Sequence, residues 1–165
     1  MGKKWPELKD RTQGAAVIAD NETRLRPGES NSKLIPNSCS IFGADRLGGQ
    51  IGVDIMVLLS EQCDGSEGGR LVTPYILAAK VVIATDGPQA SVVCTYRSPE
   101  AECTKDSGLL AFITADANLE RKLLAMGGFI VQELDRTSET AREDTLGERL
   151  VRLSTGRLLS NTLIR

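Results

Sequence analysis

The most informative absence in this chain of 165 residues is histidine, which does not occur at all. Histidine is the usual general base of catalytic triads and the commonest metal ligand among side chains. Its absence excludes Ser-His-Asp and Cys-His catalysis, as well as zinc sites that combine cysteine with histidine. The sequence therefore predicts no metal site and no cofactor.

Aromatic residues are scarce, at 4% of the chain, so the core must be built mainly from Leu, Ile, Val and Ala. Grooves that bind single-stranded nucleic acid need several exposed aromatic rings along a basic surface. The six rings are scattered along the chain: Trp5, Phe42, Tyr75, Tyr96, Phe112 and Phe129. This scatter argues against such a groove.

No run approaches 18 consecutive apolar residues, which argues against a membrane-spanning helix. The N-terminus, MGKKWPELKD, has no apolar region of the kind that signal peptides contain, so we expect a cytoplasmic protein. Four cysteines are present, without the C-x2-C pairs of zinc ribbons and redox sites. Their positions are Cys39, Cys63, Cys94 and Cys103, and we expect them to be reduced thiols.

The proportions of apolar residues (41%) and charged residues (25%) are those of a globular protein, and the length fits one domain. Residues 1–45 are polar and interrupted by proline and glycine, and only the segment around residue 17 is suited to a strand. We therefore predict an extended or partly disordered arm over 1–45 and a single domain over 46–165.

Hydrophobic alternation predicts a strand over 51–59, and a turn at 86–88 predicts a β-hairpin over 76–97. Further along, the pattern predicts strands at 109–114 and 129–134, with a helix over 117–126 that Gly127 ends. A capping box at Thr145 predicts a second helix over 145–155. The fold class predicted is α+β: a mainly antiparallel sheet of about five to six strands, two helices in the C-terminal half, and the N-terminal arm.

One stretch has the glycine spacing of a phosphate-binding loop, with Gly43, Gly48 and Gly49 as its candidate binding residues. It lacks the Lys and Ser/Thr that contact phosphate and magnesium in such loops, and it precedes a strand where such loops follow one. The alternative is an ordinary flexible loop.

A second candidate is the segment from residue 149 to the C-terminus, which contains basic but no acidic residues. Its four candidate binding residues are Arg149, Arg152, Arg157 and Arg165. They predict contact with an acidic partner or a polyanion. The alternative is a solvated helix face whose cations lie near the helix C-terminus.

No catalytic residues emerge from the sequence. The carboxylate pairs Asp54 with Asp86 and Glu133 with Asp135 are better explained by turns or solvated faces, and Lys80 by the solvent side of a strand. We therefore predict a non-enzymatic, self-associating structural protein of the coat or matrix kind, a class that includes viral proteins. The alternative is a small α/β enzyme or ligand-binding domain whose site lies in the loops around 43–50 and 114–117.

Overall fold

The computed structural model describes residues 15–21, 39–45, 55–84, 86–115, 122–129, 134–135 and 140–141. These residues form nine strands, one α-helix and a short 3-10 turn at Cys103–Lys105. In chain order the elements are β1 (Val17–Asn21), β2 (Cys39–Ala44), β3 (Ile55–Ser60), β4 (Gly65–Val72), β5 (Ile76–Ile83), β6 (Ala90–Arg97), α1 (Asp106–Thr114), β7 (Lys122–Phe129), β8 (Leu134–Asp135) and β9 (Thr140–Ala141).

The strands form two main sheets. The three-stranded sheet has the order β1-β3-β2, with both pairs antiparallel. The four-stranded sheet has the order β4-β5-β6-β7, in which β6 and β7 are parallel and the other pairs antiparallel. Parallel neighbours need a crossover connection, which here contains α1. The strands β8 and β9 pair with each other.

The main core lies between the two sheets. Alternate residues of each strand point into it, as period-2 geometry requires. Its buried members are Ala44, Ile55, Val57, Leu59, Leu77, Ala79, Val81, Ile83, Val92, Cys94 and Tyr96. Full burial of one such aliphatic side chain contributes about 1.5–3 kcal/mol, so this layer is the largest source of stability in the described residues.

Helix α1 covers the opposite face of the four-stranded sheet. Its buried residues Leu109, Leu110 and Ile113 form a second cluster with Ile76, Ala78 and Val93 of that sheet. The described part of the molecule therefore has three layers: a three-stranded sheet, a four-stranded sheet and a helix.

The α+β class is confirmed, and so is the hairpin over 76–97, in which Ile76 pairs with Arg97 and Ile83 with Ala90. The short strand near residue 17 is also confirmed as β1. The predicted single sheet of five to six strands is wrong, because the described strands divide between two sheets and a separate pair. Within the predicted arm, residues 17–21 and 39–44 are strands of the three-stranded sheet.

The predicted strand at 109–114 is wrong, because these residues belong to α1. Phe112 and Ile113 favour a strand in isolation. Leu109, Leu110 and Ile113, however, follow helical spacing and all become buried against the sheet. Tertiary packing has overridden local propensity.

The predicted helix over 117–126 is also not matched, since Lys122–Phe129 is strand β7. Leu123 packs on the helix side of the sheet, whereas Leu124 and Met126 pack on the inner core, which is strand alternation. Gly127 does not end a helix. It lies within the strand with φ +141°, and a Cβ there would collide with the backbone of Thr95. The helix predicted over 145–155 lies outside the described residues.

Strand β4 begins at Gly65, two residues after Cys63. The prediction that Lys80 lies on the solvent side of its strand is wrong: it is 3% exposed and lies on the helix side of the sheet. Its Nζ donates a hydrogen bond of 2.7 Å to the carbonyl oxygen of Phe112 and lies 4.8 Å from the centroid of that ring.

No helix among the described residues is both long enough and apolar enough to cross a lipid bilayer.

Candidate functional site

The carboxyl ends of strands from both sheets meet at one end of the molecule. Strands β1 and β2 both end opposite the first residue of β3, since Asn21 and Ala44 each pair with Ile55. Strands β6 and β7 run parallel and end together, Tyr96 pairing with Gly128. We call this end of the molecule the strand-end face.

Asn21 joins the two sheets at the strand-end face. Its amide lies beside β7, so close that a Cβ added to Gly128 would be 2.6 Å from Asn21 Nδ2 and 3.8 Å from the ring of Tyr96. The missing side chain of Gly128 therefore makes the space that the amide occupies. Tyr96 is buried against the inter-sheet core, whereas Asn21 is half-buried.

Four carboxylates occur at or just beyond strand ends on this side of the molecule. Asp45 follows β2 directly, and Glu100 and Glu102 lie in the loop after β6; all three are exposed. Asp20 precedes Asn21 in β1. Carboxylates at such positions can accept protons or orient water, and in this chain they must do so without histidine.

The loop after β6 is held by a buried ion pair. Arg97 Nε donates to Asp106 Oδ1 at 2.7 Å and Nη2 donates to Oδ2 at 3.2 Å, which is a bidentate geometry. The same Nη2 donates to the carbonyl oxygen of Ala101 at 2.9 Å. Because Asp106 is the first residue of α1, this pair links the end of β6, the loop and the start of the helix.

A tight turn between β4 and β5 completes the strand-end face. Thr73 Oγ1 accepts hydrogen bonds from the backbone N–H groups of Tyr75 (3.3 Å) and Ile76 (2.8 Å). The carbonyl oxygen of Tyr75 accepts a 2.8 Å bond from the N–H of Ser98. The turn and the loop after β6 therefore support each other.

Cys94 lies below this face in the inter-sheet core. Burial raises the pKa of its thiol from 9.0 to about 12, and the nearby charge of Asp20 acts in the same direction. Its Sγ lies 3.8 Å from the carbonyl oxygen of Asp20. At neutral pH the thiol is protonated and is a packing group rather than a nucleophile.

The candidate residues from the sequence are placed as follows. Gly43 lies within β2, where a Cβ would be 2.6 Å from the carbonyl oxygen of Ile55. Gly48 and Gly49 lie outside the described residues, as do the four candidate arginines Arg149, Arg152, Arg157 and Arg165. The phosphate-loop and basic-segment predictions therefore stay predictions.

The two loops proposed for an enzyme site differ in position. Residues 43–45 lie at the end of β2, which β3 separates from β1 and Asn21. Residues 114–115 lie at the C-terminal end of α1, whose first residue is linked to the end of β6 by Arg97. The remainder of both segments, 46–50 and 116–117, lies outside the described residues.

The described residues do not supply a metal site, since no group of three or more Asp, Glu, Cys or His side chains comes together among them.

Comparison with solved structures identifies the fold. The endonuclease domain of TRAS1, a telomere-specific non-LTR retrotransposon, is similar with a TM-score of 0.58 and 15% identity, over 91% of this chain and 61% of that one. The human nocturnin catalytic domain with bound sulfate anion is similar with a TM-score of 0.59 and 10% identity, over 98% of this chain and 62% of that one. At these identities the likeness establishes the fold alone, and the chain spans about three fifths of either structure.

No protein-family model matches the sequence. No curated protein matches it either.

These comparisons contradict the prediction of a non-enzymatic, self-assembling structural protein. The solved structures that share the fold are an endonuclease domain and a catalytic domain, neither of which is a coat or matrix protein. They favour the alternative, a small α/β enzyme or ligand-binding domain that uses the loops around 43–50 and 114–117. The prediction of a structural protein rested on the absence of familiar catalytic motifs, and such an absence does not indicate which fold the chain adopts.

Proposed function

We propose that the chain belongs to an enzyme that hydrolyses phosphodiesters, with the strand-end face as its substrate site. The observation that carries the proposal is the position of the Asn21 amide where the carboxyl ends of β1, β6 and β7 meet. In open α/β sheets, ligands bind beyond the carboxyl ends of parallel strands, and β6 and β7 supply such a parallel pair here. The fold shared with an endonuclease domain, and with a catalytic domain that binds a sulfate anion, supports phosphate chemistry.

The amide of Asn21 suits a phosphate group because its NH2 donates hydrogen bonds without carrying charge. A donor aimed at a non-bridging phosphate oxygen stabilises the negative charge that grows in the transition state. Asp45, which follows β2 and is separated from β1 by β3, is the carboxylate we assign to accept a proton from the attacking water. As the water oxygen bonds to phosphorus, the ester P–O bond breaks and the leaving alkoxide takes a proton from solvent. In a chain without histidine this role falls to a carboxylate.

The test is hydrolysis of bis(p-nitrophenyl) phosphate and of a labelled DNA duplex, each with Mg²⁺ and with EDTA. We expect Asn21→Ala to lower kcat by about 10²–10³-fold, the effect of removing one preorganised donor. A wild-type protein that hydrolyses neither substrate under either condition would overturn the proposal. Unchanged kcat in Asn21→Ala would remove Asn21 from the site.

A second variant tests whether kcat depends on the position of the Asn21 amide as well as on its presence. Gly128→Ala keeps Asn21 but adds a Cβ where the amide now lies, 2.6 Å from Nδ2. Since the end of a side chain can rotate away, we expect a nearly native melting temperature and a loss of kcat close to that of Asn21→Ala. Ile41→Ala, an exposed position within β2, is the matched control and should retain wild-type kcat.

A further inference from the structure

We propose that Tyr75 is a stacking surface for a nucleobase attached to the phosphate bound at the strand-end face. This inference rests on the proposed function and specifies its substrate class as a nucleotide or nucleic acid. It assigns a role to one exposed ring, which does not require the multi-ring groove that the scattered aromatic residues argue against.

The exposure of Tyr75 is the first observation. It is 40% exposed, and among the described residues only Ile41, at 38%, is another large apolar side chain exposed to this degree. The other aromatic rings described, Phe42, Tyr96 and Phe112, are all half-buried or buried. Tyr75 is therefore the aromatic ring among these residues that a ligand can reach most readily.

The rigidity of its backbone is the second observation. Thr73 Oγ1 accepts hydrogen bonds from both N–H groups that follow Pro74, and Thr73 N donates a further 2.9 Å bond to the carbonyl oxygen of Ile76. Pro74 fixes its own φ. A ring on such a turn loses little conformational entropy when a ligand stacks on it.

Its position is the third observation. The carbonyl oxygen of Tyr75 accepts a hydrogen bond from Ser98, directly after β6, and Ile76 pairs with Arg97. Strands lie about 4.8 Å apart, so the turn is roughly 5–10 Å from the ends of β6 and β7, where Asn21 lies. This separation suits a base and a phosphate of one nucleotide.

The chemistry of a tyrosine ring at the edge of a phosphate site favours a nucleobase. Base–aromatic stacking tolerates every base, because each has a π-face, and it is measured by replacing the ring with alanine. The phenol hydroxyl can remain in water while the ring is covered.

The experiment measures Kd by fluorescence anisotropy with a labelled oligothymidylate and with an abasic strand of equal length, both with hydrolysis-resistant phosphorothioate links. We expect Tyr75→Ala to raise Kd for the oligothymidylate by about 5–150-fold and to leave Kd for the abasic strand unchanged. Tyr75→Phe should retain wild-type affinity. Ile41→Ala, at matched exposure, should not change either Kd.

Competition with thymidine 5′-monophosphate identifies the source of the base. Displacement at nucleotide concentrations similar to those of the oligomer assigns the site to a free nucleotide. Displacement only at far higher concentrations assigns it to a nucleic-acid strand. Either result supports stacking if Tyr75→Ala weakens binding of the ligand so identified.

Equal affinity of wild type and Tyr75→Ala for the oligothymidylate would overturn this inference and leave the proposed function standing. An equal loss of affinity for both strands would also overturn it, because the ring would then act on the backbone or on the fold. A wild-type protein that binds neither strand would overturn the inference, whereas the hydrolysis assay alone decides the proposed function.

Discussion

The two faces of the four-stranded sheet carry different kinds of buried side chain. The face towards the three-stranded sheet carries buried apolar residues with one thiol and one tyrosine. The face towards α1 alternates apolar residues with buried polar ones, which are Lys80, Ser91, Thr95 and Arg97. The second face carries more buried polar groups, and each of them requires a hydrogen-bonding partner.

The structure shows hydrogen-bonding partners for Lys80, Thr95 and Arg97. Lys80 donates to a helix carbonyl, Thr95 Oγ1 donates to the carbonyl oxygen of Leu77 at 3.1 Å, and Arg97 pairs with Asp106. The apolar face tolerates changes that conserve volume, whereas the helix-side face tolerates only changes that keep its partners matched. The helix-side face bears Arg97, which bonds both to Asp106 and to the carbonyl oxygen of Ala101. The same side chain therefore also fixes the loop after β6 at the strand-end face.

The largest effect that would break this comparison is the loss of one partner of the Arg97–Asp106 pair. Asp106→Ala leaves a buried guanidinium without its carboxylate, and we expect a loss of about 3–5 kcal/mol in the free energy of unfolding. Urea denaturation measures it. The exposed pair of Glu67 and Arg70 is the control, where Glu67→Gln should cost about 0–1 kcal/mol.

The double variant Arg97→Met/Asp106→Leu sharpens the same test, because it removes both charges and retains bulk. It should recover much of the stability that Asp106→Ala loses. A double variant less stable than Asp106→Ala would contradict the requirement for matched partners.

A smaller effect is expected at Lys80. Lys80→Met retains the apolar stem but leaves the carbonyl oxygen of Phe112, in the last turn of α1, without the ammonium donor. We expect a loss of about 1–3 kcal/mol in the free energy of unfolding, the cost of an unsatisfied buried acceptor. A stabilised variant would show that burying the ammonium costs more than its hydrogen bond contributes.

The effect expected at Cys94, on the apolar face, is the smallest at neutral pH, because it arises only when the pH rises above 9. The folded state holds the thiol pKa at about 12, against 9.0 for an unperturbed thiol, so the unfolded chain loses its proton first. The contribution of Cys94 is therefore complete below pH 9 and is lost as the pH rises towards about 12. Urea denaturation at several pH values measures this loss, which should be smaller in Cys94→Ala than in the wild type.

Thiol labelling at pH 8.5 gives an independent measurement. Iodoacetamide should modify the half-buried Cys63 well before Cys94, since the thiolate is the reactive species. Equal labelling rates in the native protein would contradict the raised pKa.

Period-2 alternation was the part of the fold that the sequence could predict. The hairpin of β5 and β6 and the short strand β1 follow from local patterns and turn residues alone. The segments that became α1 and β7 could not be assigned in this way. Their leucines satisfy helix and strand patterns equally well, and the choice depends on which residues they meet in the folded molecule.

Asn21 was missed for a related reason. Its local signal, a polar residue at the end of strand β1, is common to many strand ends. Its significance comes from Gly128, more than a hundred positions later, whose missing side chain leaves room for the amide. Contacts of that sequence separation leave no periodic trace in one sequence.

The register shift between Glu67 and Gly69 in β4 affects how the molecule behaves at high concentration. Among the described residues, strand β4 is at the edge of its sheet, and an exposed edge is a template on which another chain can add a strand. The shift interrupts the regular ladder beside the charged pair of Glu67 and Arg70, and both features discourage intermolecular pairing. Replacing this segment with a regular run of apolar β-formers would therefore be expected to promote aggregation.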